Sequence, residues 1–339
     1  MHSSLIPRRA HRAALALGLL AWAPGLRAQT TAVGGSGATG SSAVQRAEAL
    51  LRDGRRIDAK MFLGQHLALE PNDGRAWFAL GRIHLGDAQR WHREGHVAAG
   101  VGIPVAEFAS SAFDQAHRLL ADSASVYLVL AVVEQATLRI ERLGWTAAVA
   151  EPMAAEELPL PPVLNELGRN LMGSCPRGGV LVTGSLVETA SVWGARFLDD
   201  ERADLILIRP DLYAFDSLYR GRMATEIGAD ASADLPAALV AASAKRPVCL
   251  TPTVDSITTT ALSWHPLRLV LAAGTIANGE APMQMSVHQL ARTGIAGSVW
   301  SEAVRDVYEL AARRNRTLCE SLFNRPDAHG LPAITACPR

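Results

Sequence analysis

Residues of two kinds recur along the first half of the chain at one separation. Trp77 and Tyr127 are 50 residues apart, and so are Ala59 and Ala109. Apolar residues follow a helical period across the same region, from about residue 43 to about residue 155. Small residues let two helices approach closely, and large apolar ones fill the space between neighbouring helix pairs. The first half is therefore predicted to consist of stacked helix pairs.

This pattern resembles the tetratricopeptide repeat over roughly residues 43–140. The segment WFALGRIH (77–84) matches the W-x2-L-G-x2-Y start of the repeat, with His84 in the place of Tyr. A period of about 34 residues and one insertion of about 16 explain the separation, and the Gly-containing segment 90–104 is the expected insertion loop. The resemblance implies hairpins that bind a protein or peptide partner, and an ordinary helical bundle is the alternative. The expected packing residues are Trp77, Leu80, Gly81, Ala109, Phe113 and Tyr127, with Trp77 and Phe113 buried between hairpins.

A proline-rich segment, EELPLPP (156–162), marks the predicted domain boundary. Beyond it, short apolar strands alternate with helices, which predicts a small parallel α/β sheet. The segment LRLVLAAG (267–274) is the expected edge strand, and one amphipathic helix is expected from about Ser301 to Leu322. The predicted fold class is α + α/β: tetratricopeptide-like helical hairpins at 43–155, then an α/β domain with a C-terminal helix at 163–339.

Residues 164–273 resemble the soluble region that follows the transmembrane bundle in bacterial membrane glycosyltransferases of the protein O-mannosyltransferase-like type. The matching positions are Arg169, Asn170, Leu171, Cys175, Pro176, Thr183, Thr189 and Trp193. The resemblance implies a Rossmann-like domain type connected with glycan chemistry. It does not imply an activity, because the polar turn of that family reads Gly-Ser-Leu-Val-Glu here (184–188) and the catalytic transmembrane part is missing.

The turn at residues 183–189 is the candidate ligand site. Ligands of α/β folds bind at the carboxyl ends of parallel strands, and this turn follows the apolar segment 180–182. Its polar candidates are Thr183, Ser185, Glu188 and Thr189. Leu186 and Val187 stand where a polar ligand needs hydrogen bonds. We therefore expect the turn mainly to join a strand to a helix.

Three kinds of chemistry are weighed against this expectation. A hydrolase with Ser185 as nucleophile lacks the G-x-S-x-G pattern, because Thr183 and Val187 occupy the glycine positions. A nucleotide site lacks both the G-x-G-x-x-G and the P-loop sequence. A metal site could use His92 and His96, four residues apart, but no H-E-x-x-H motif is present. No catalytic residue, cofactor or metal ligand is therefore predicted.

A signal peptide is predicted at residues 1–28 and a flexible linker at 29–42. Basic residues precede an apolar run at 13–20, which is well short of the roughly 20 residues that a membrane span needs. The linker is rich in Gly, Ser and Thr. The sequence thus predicts export to the periplasm or the extracellular space, without a stable membrane span.

Four cysteines in an exported chain predict disulfides. Cys319 and Cys337 are near neighbours at the C-terminal end and are the candidate pair, which would tie the tail to the last helix. Cys175 and Cys249 are predicted to be buried beside adjacent strands, and their pairing stays open among the three connectivities that four cysteines allow.

The predicted function is that of an exported, non-catalytic binding or scaffold protein that holds a protein or peptide partner on its helical repeats. A formal net charge of zero gives no indication of nucleic-acid binding. The first alternative is an accessory or remnant soluble domain of a membrane glycosyltransferase system. The second is a hydrolase that uses the turn at 183–189.

Overall fold

The computed structural model describes residues 38–94, 102–120, 122–150, 159–199, 202–254, 260–275, 285–292, 299–323 and 337. The expected signal peptide lies outside these residues, as does the expected linker up to residue 37. Helices predominate, and one small mixed sheet of five strands completes the described chain. No helix of this part is long and apolar enough to cross a membrane.

In the described part of the chain, seven helices come before the sheet. They are α1 (Ala38–Arg52), α2 (Arg56–Leu69), α3 (Gly74–Glu94), α4 (Gly102–Leu120), α5 (Asp122–Leu143), α6 (Trp145–Ala150) and α7 (Pro162–Ser174). The periodicity predicts the start of the first helix at about residue 43, but α1 begins at Ala38. Residues 38–42 of the expected linker are therefore helical. The expected insertion loop at 90–104 is helical at both ends, because it lengthens α3 and α4. The first glycine after Gly86 is Gly95, so the sequence contains no strong helix breaker before the end of α3.

The contact between α3 and α4 depends on a glycine. Gly81 lies against the ring of Phe113, which is fully buried, and a Cβ atom at residue 81 would lie 2.8 Å from ring carbons. Phe78 also contacts Phe113, with ring centroids 5.7 Å apart, and contacts Tyr127 at 4.9 Å. The close approach of the two helices therefore requires a residue without a side chain at position 81.

Trp77 is half-buried rather than enclosed between helix pairs. Its ring packs with the cluster around Ala59 and Leu63 of α2, and its Nε1–H donates to the carbonyl of Pro71 at 2.9 Å. This bond keeps the polar edge of the indole near the surface. Phe78, the next residue, instead supplies the aromatic ring between α3, α4 and α5.

Gly81→Ala is expected to lower the free energy of unfolding by about 2 kcal/mol, although alanine is the better helix former. The new methyl group would overlap the Phe113 ring, which packed neighbours hold in place. The matched control is Gly64→Ala in α2, where a Cβ atom has no neighbour within 4 Å. That substitution should stabilise by about 0.5–1 kcal/mol. Urea unfolding measures the change in the free energy of unfolding for each variant. Two changes of the same sign would contradict the close contact.

The five strands of the described sheet lie in the second half. In chain order it comprises β1 (Val180–Val182), α8 (Leu186–Asp199), β2 (Ile206–Ile208), α9 (Pro210–Phe215), α10 (Ser217–Ile227), α11 (Leu235–Ser243), β3 (Val248–Leu250), β4 (His265–Leu267), β5 (Val270–Ala273), α12 (His288–Arg292), α13 (Ser301–Arg314) and α14 (Arg316–Phe323). The single C-terminal helix that the periodicity predicts is two helices. Asn315 separates them, and its Oδ1 accepts from the backbone N–H of Leu318 at 3.1 Å, which caps the start of α14.

The strand order of the sheet is β2-β1-β3-β5-β4. Strand β1 pairs in parallel with β2 and with β3, whereas β5 is antiparallel to both β3 and β4. The prediction of a wholly parallel sheet is therefore wrong for two strands. A two-residue turn, Arg268 and Leu269, joins β4 to β5, and such a turn can connect only antiparallel neighbours. The edge strand on that side is β4, not the predicted segment 267–274.

One hydrophobic cluster extends from the helices into the sheet. It includes Phe113 of α4, Trp145 of α6 and Trp193 of α8, and the two indole rings meet edge-on at 5.7 Å. A buried ion pair also crosses between the halves, from Arg209 after β2 to Glu134 of α5 at 2.8 Å. Burial alone would lower the pKa of Arg209, but the neighbouring carboxylates of Asp211 and Glu134 outweigh it and raise that pKa.

Two disulfides are present. Cys319 bonds to Cys337 with Cα atoms 5.6 Å apart, and Cys175 bonds to Cys249 with Cα atoms 5.9 Å apart. The second bond joins the end of α7 to β3. Disulfides persist in oxidising compartments, and the two bonds therefore suggest such a location for this chain.

Candidate functional site

The turn after β1 is a reciprocal helix cap. The backbone N–H of Glu188 donates to Oγ of Ser185 at 3.2 Å, and the Oε2 atom of Glu188 accepts from the backbone N–H of Ser185 at 2.9 Å. A serine followed three residues later by a glutamate forms this capping box at a helix start. The hydroxyl that the hydrolase hypothesis needs as a nucleophile therefore serves as the cap of α8.

The carboxylate of Glu188 also reaches the loop after β3. Its Oε1 accepts from the backbone N–H of Thr253 at 3.0 Å, and its Oε2 accepts from the hydroxyl of Thr251 at 2.8 Å and from that of Thr253. The backbone N–H of Gly184 donates to Oε2 as well, at 3.2 Å. Glu188 is fully buried, and five donors surround its carboxylate. A buried carboxylate with this many donors is satisfied without a ligand.

The remaining polar candidates are also paired within the turn. Thr183 is fully buried, and the hydroxyl of Thr189 donates to its Oγ1 at 3.1 Å. A side chain at Gly184 would collide with Thr253, so the loops after β1 and β3 are in contact. The structure thus brings Thr183, Ser185, Glu188 and Thr189 together, and their polar groups bond to one another and to the β3 loop.

The position of this cluster matters because α/β sheets bind ligands at the carboxyl ends of strands where the chain direction switches. Strand β1 lies between β2 and β3, and the connection after β1 goes to β2. The crevice between the β1 and β3 loops is therefore the place where a nucleotide or phosphate would bind at the start of α8. In this chain, the carboxylate of Glu188 occupies that position.

The helical half contains a cluster of charges around Asp87 of α3. Its carboxylate accepts from Lys60 of α2 at 2.9 Å and from the guanidinium groups of Arg56 and Arg90. Burial alone would raise the pKa of Asp87, but the hydrogen bond from Lys60 and the charge of Arg56 outweigh it and hold that pKa below its ordinary value. Three cations share one carboxylate, so the cluster has an excess of positive charge.

Exposed apolar side chains border this cluster. Ile57 and Met61, one turn apart on α2, are 70% and 59% exposed, and Phe108 of α4 is 62% exposed. The ring of His84 lies 5.7 Å from that of Phe108. Burial and the charge of Lys60 lower the pKa of His84, which favours the neutral imidazole. We call Arg56, Ile57, Lys60, Met61, His84, Asp87, Arg90 and Phe108 the helical surface.

Asp87→Asn should lower the free energy of unfolding by about 2 kcal/mol at pH 7, because three cations lose their shared counter-charge. A lowered pKa stabilises the fold above the ordinary value of 3.8, and this stabilisation is lost as the pH falls through the folded-state value. The difference between the two proteins should therefore be constant from pH 7 to about pH 5 and shrink below pH 3.8.

The matched control for Asp87 is Asp58→Asn, which breaks the exposed Arg55–Asp58 pair of α2. An exposed pair contributes little, so the expected change is below about 0.5 kcal/mol. Urea unfolding of all three proteins at pH 7, 5 and 3 gives the comparison. A loss for Asp87→Asn that equals the control, or that persists unchanged at pH 3, would show that the cluster does not stabilise the fold.

A cavity of about 400 Å³ lies away from the turn, between α7, the β4–β5 turn and α12. It contains two of the positions that carry the resemblance to the glycosyltransferases, Arg169 and Asn170. The sequence predicts neither as a ligand-binding residue. Arg268, in the β4–β5 turn, also lines it, and no sequence motif marks that residue.

Metal binding finds no support in the described part of the chain. There, no group of three or more His, Cys, Asp or Glu side chains is arranged to hold a metal ion. His92 lies in the last turn of α3, and His96 lies outside the described residues. Comparison of the chain with protein-family models, with curated proteins and with solved structures finds no match in any of the three.

Proposed function

We propose that this chain is an exported, non-catalytic protein that binds a protein or peptide partner on its helical surface. The observation that carries the proposal is the coincidence of exposed apolar side chains with an excess of positive charge. Ile57, Met61 and Phe108 are exposed beside three cations that share the single carboxylate of Asp87. Surface apolar residues beside charged ones are typical of protein-binding sites.

The partner is a segment that carries acidic side chains beside aliphatic or aromatic ones. Acidic groups complement Arg56, Lys60 and Arg90, and the apolar groups would cover Phe108 and Met61. The chain's own expected linker is a poor occupant, because residues 29–42 contain no acidic side chain. The tetratricopeptide interpretation of 43–140 agrees with this role, and the two disulfides agree with export.

The test is a selection of peptides from a random library on the purified protein. Enriched peptides are expected to be acidic and to contain Leu, Ile, Phe or Trp. Binding of one such peptide, measured by fluorescence polarisation, should weaken at least tenfold with Lys60→Glu and with Phe108→Ser. It should also weaken at higher salt, since exposed charges are screened.

Phe215→Ser is the matched control, because Phe215 is as exposed as Phe108 but lies on α9 in the other half. Its effect on peptide binding should be less than twofold. Failure to enrich acidic peptides would contradict the proposal, and so would a peptide that binds the Phe108→Ser protein as tightly as the unchanged one. A synthetic peptide of residues 29–42 that competes for the surface would identify the linker as its occupant instead.

The second candidate function is that of an accessory or remnant domain of a membrane glycosyltransferase system. The residues that resemble that family lie in and around the parallel part of the sheet, where β1 pairs with β2 and β3. A sugar or sugar phosphate that bound at the turn after β1 would favour this function over the first.

A further inference from the structure

The cavity beside α7 has the size and the lining of a small-molecule site. Its volume of about 400 Å³ falls within the range of ligand pockets. Pro162 and Met285 supply apolar surface, while Asn165, Arg169 and Arg268 supply polar groups. A few polar groups on a partly apolar wall are typical of sites that orient a small organic molecule.

Glu166 supplies the one carboxylate among the described lining residues, and donors of the protein already satisfy it. Glu166 accepts from the hydroxyl of Ser286 at 2.8 Å and from the backbone N–H groups of Gln289 and Leu290 at 2.9 and 3.0 Å. It therefore holds the segment around α12 in place. Its two oxygens face that segment, which leaves the guanidinium group of Arg268 as the charged group that can meet a ligand.

Arg268 is a cation of the cavity wall whose charge is not balanced by a nearby carboxylate of the described residues. Its Nη1 donates to the carbonyl of Gly173 at 3.2 Å, at the end of α7, and no carboxylate of the described residues contacts its guanidinium group. Burial lowers the pKa of Arg268, which is the direction expected for a half-buried cation that no anion neutralises. Arg169 lies on the same wall and is exposed to solvent.

The backbone conformation of Arg268 is unusual for a residue with a side chain. It has a φ of 51°, in the left-handed region, at the first position of the β4–β5 turn, where glycine is the usual residue. Its carbonyl accepts from Nδ2 of Asn315 at 3.0 Å, which helps to hold this conformation. Non-glycine residues in strained conformations cluster at functional sites. The turn by itself would favour glycine. Arginine at this position supplies a guanidinium group that glycine lacks.

Asn165 shows what else a ligand would contribute. Asn165 lines the cavity, and its buried Oδ1 atom accepts no hydrogen bond from the described residues. A buried acceptor without a partner costs free energy, and a donor on a bound molecule would remove that cost. The complementary ligand therefore carries an oxyanion for Arg268 and a hydroxyl or amino group for Asn165.

We propose that this cavity binds a small organic anion whose carboxylate or phosphate group pairs with Arg268, with Arg169 beside it, and whose hydroxyl or amino group donates to Asn165. Arg268 presents two or more N–H groups in a fork that matches both kinds of oxyanion. The site is independent of the helical surface and of the turn after β1, since it shares no residue with either.

Titration calorimetry with three probes tests the site on the purified protein. L-malate offers carboxylates and a hydroxyl, glycerol 3-phosphate offers a phosphate and hydroxyls, and glycerol is the uncharged control. At least one of the two anions should bind with Kd below about 1 mM, whereas glycerol should not. Whichever anion binds more tightly identifies the oxyanion as a carboxylate or a phosphate.

Arg268→Gly is the decisive variant, because glycine adopts the left-handed conformation freely and the fold should survive. Its thermal midpoint should stay within about 3 °C of the unchanged protein, while the affinity for the binding anion should fall at least tenfold. Asn165→Leu should weaken the same anion, and Arg52→Gln in α1 should not. Absence of binding by both anions, or an Arg268→Gly protein that binds as tightly as the original, would overturn the proposal.

Discussion

Glu188→Ala is expected to lower the free energy of unfolding by about 4 kcal/mol. The substitution removes a fully buried carboxylate that accepts from the backbone N–H groups of Gly184, Ser185 and Thr253. Each buried donor that loses its partner costs about 1–3 kcal/mol. The cost remains below the sum of three such losses, because Gly184 and Ser185 also donate to threonine hydroxyls of the β3 loop.

The matched control is Glu302→Ala, in the first turn of α13. Glu302 is also an acid near a helix start, but it is exposed. Its interaction with the helix dipole is the main loss, so the expected change is below about 1 kcal/mol. Urea unfolding at pH 7 gives both values. A loss for Glu188→Ala no larger than that for Glu302→Ala would mean that the carboxylate does not join the two loops.

Removal of the Cys175–Cys249 disulfide by a double alanine substitution should also cost about 4 kcal/mol. The bond closes a loop of about 75 residues, and the chain-entropy relation assigns more stabilisation to longer loops. It also joins α7 to β3. The shorter Cys319–Cys337 loop, with a sequence separation of 18, should contribute about 3 kcal/mol by the same relation.

Guanidinium unfolding of the two double variants compares the disulfides directly. The ratio of the two losses is the informative quantity, because both pairs are replaced by the same residue. If the loss for the Cys319–Cys337 pair exceeds that for the Cys175–Cys249 pair, loop length does not govern the stabilisation. Unfolding of the unchanged protein with and without reductant gives the combined effect.

The sequence could predict features that depend on neighbouring residues or on simple periodicity. The start of α8 follows from Ser185 and Glu188, which are three residues apart and cap one helix. The close helix contact at Gly81 and the burial of Phe113 follow from the helical spacing of small and large apolar residues, and Cys319 and Cys337 are close in the chain. In these cases, the signal lies within one short segment or in a simple periodicity.

Features that depend on distant partners could not be predicted in this way. Glu188 meets Thr251 and Thr253, more than 60 residues away, and nothing local to the turn indicates them. The antiparallel pairing of β5 depends on the turn at Arg268, where the sequence offers no glycine. The pattern also could not distinguish Phe78 from Trp77 as the ring that enters the helix interface, because both lie on α3 and differ by one position.

The sequence predicts the candidate ligand site at the turn, whereas the cavity lies beside α7. Helix α7 lines the cavity and packs against α8, the helix that begins at the turn. Gly168 of α7 lies so close to Ser191 of α8 that a Cβ atom there would overlap its carbonyl. This contact fixes α7 against the helix that the Glu188 cap begins.

The central claim is that Glu188 occupies the crevice at the ends of β1 and β3. Calorimetric titration of sugars, sugar phosphates and nucleotides tests it most directly, with the purified protein and its Glu188→Gln variant. The carboxylate already accepts from five donors, so these ligands should bind at the turn no more tightly than about 10 μM, or about −7 kcal/mol. Arg268→Gly serves as a second control, because any binding that it abolishes belongs to the cavity. Binding tighter than about 10 μM that Glu188→Gln abolishes and Arg268→Gly leaves intact would show that the turn is a working ligand site.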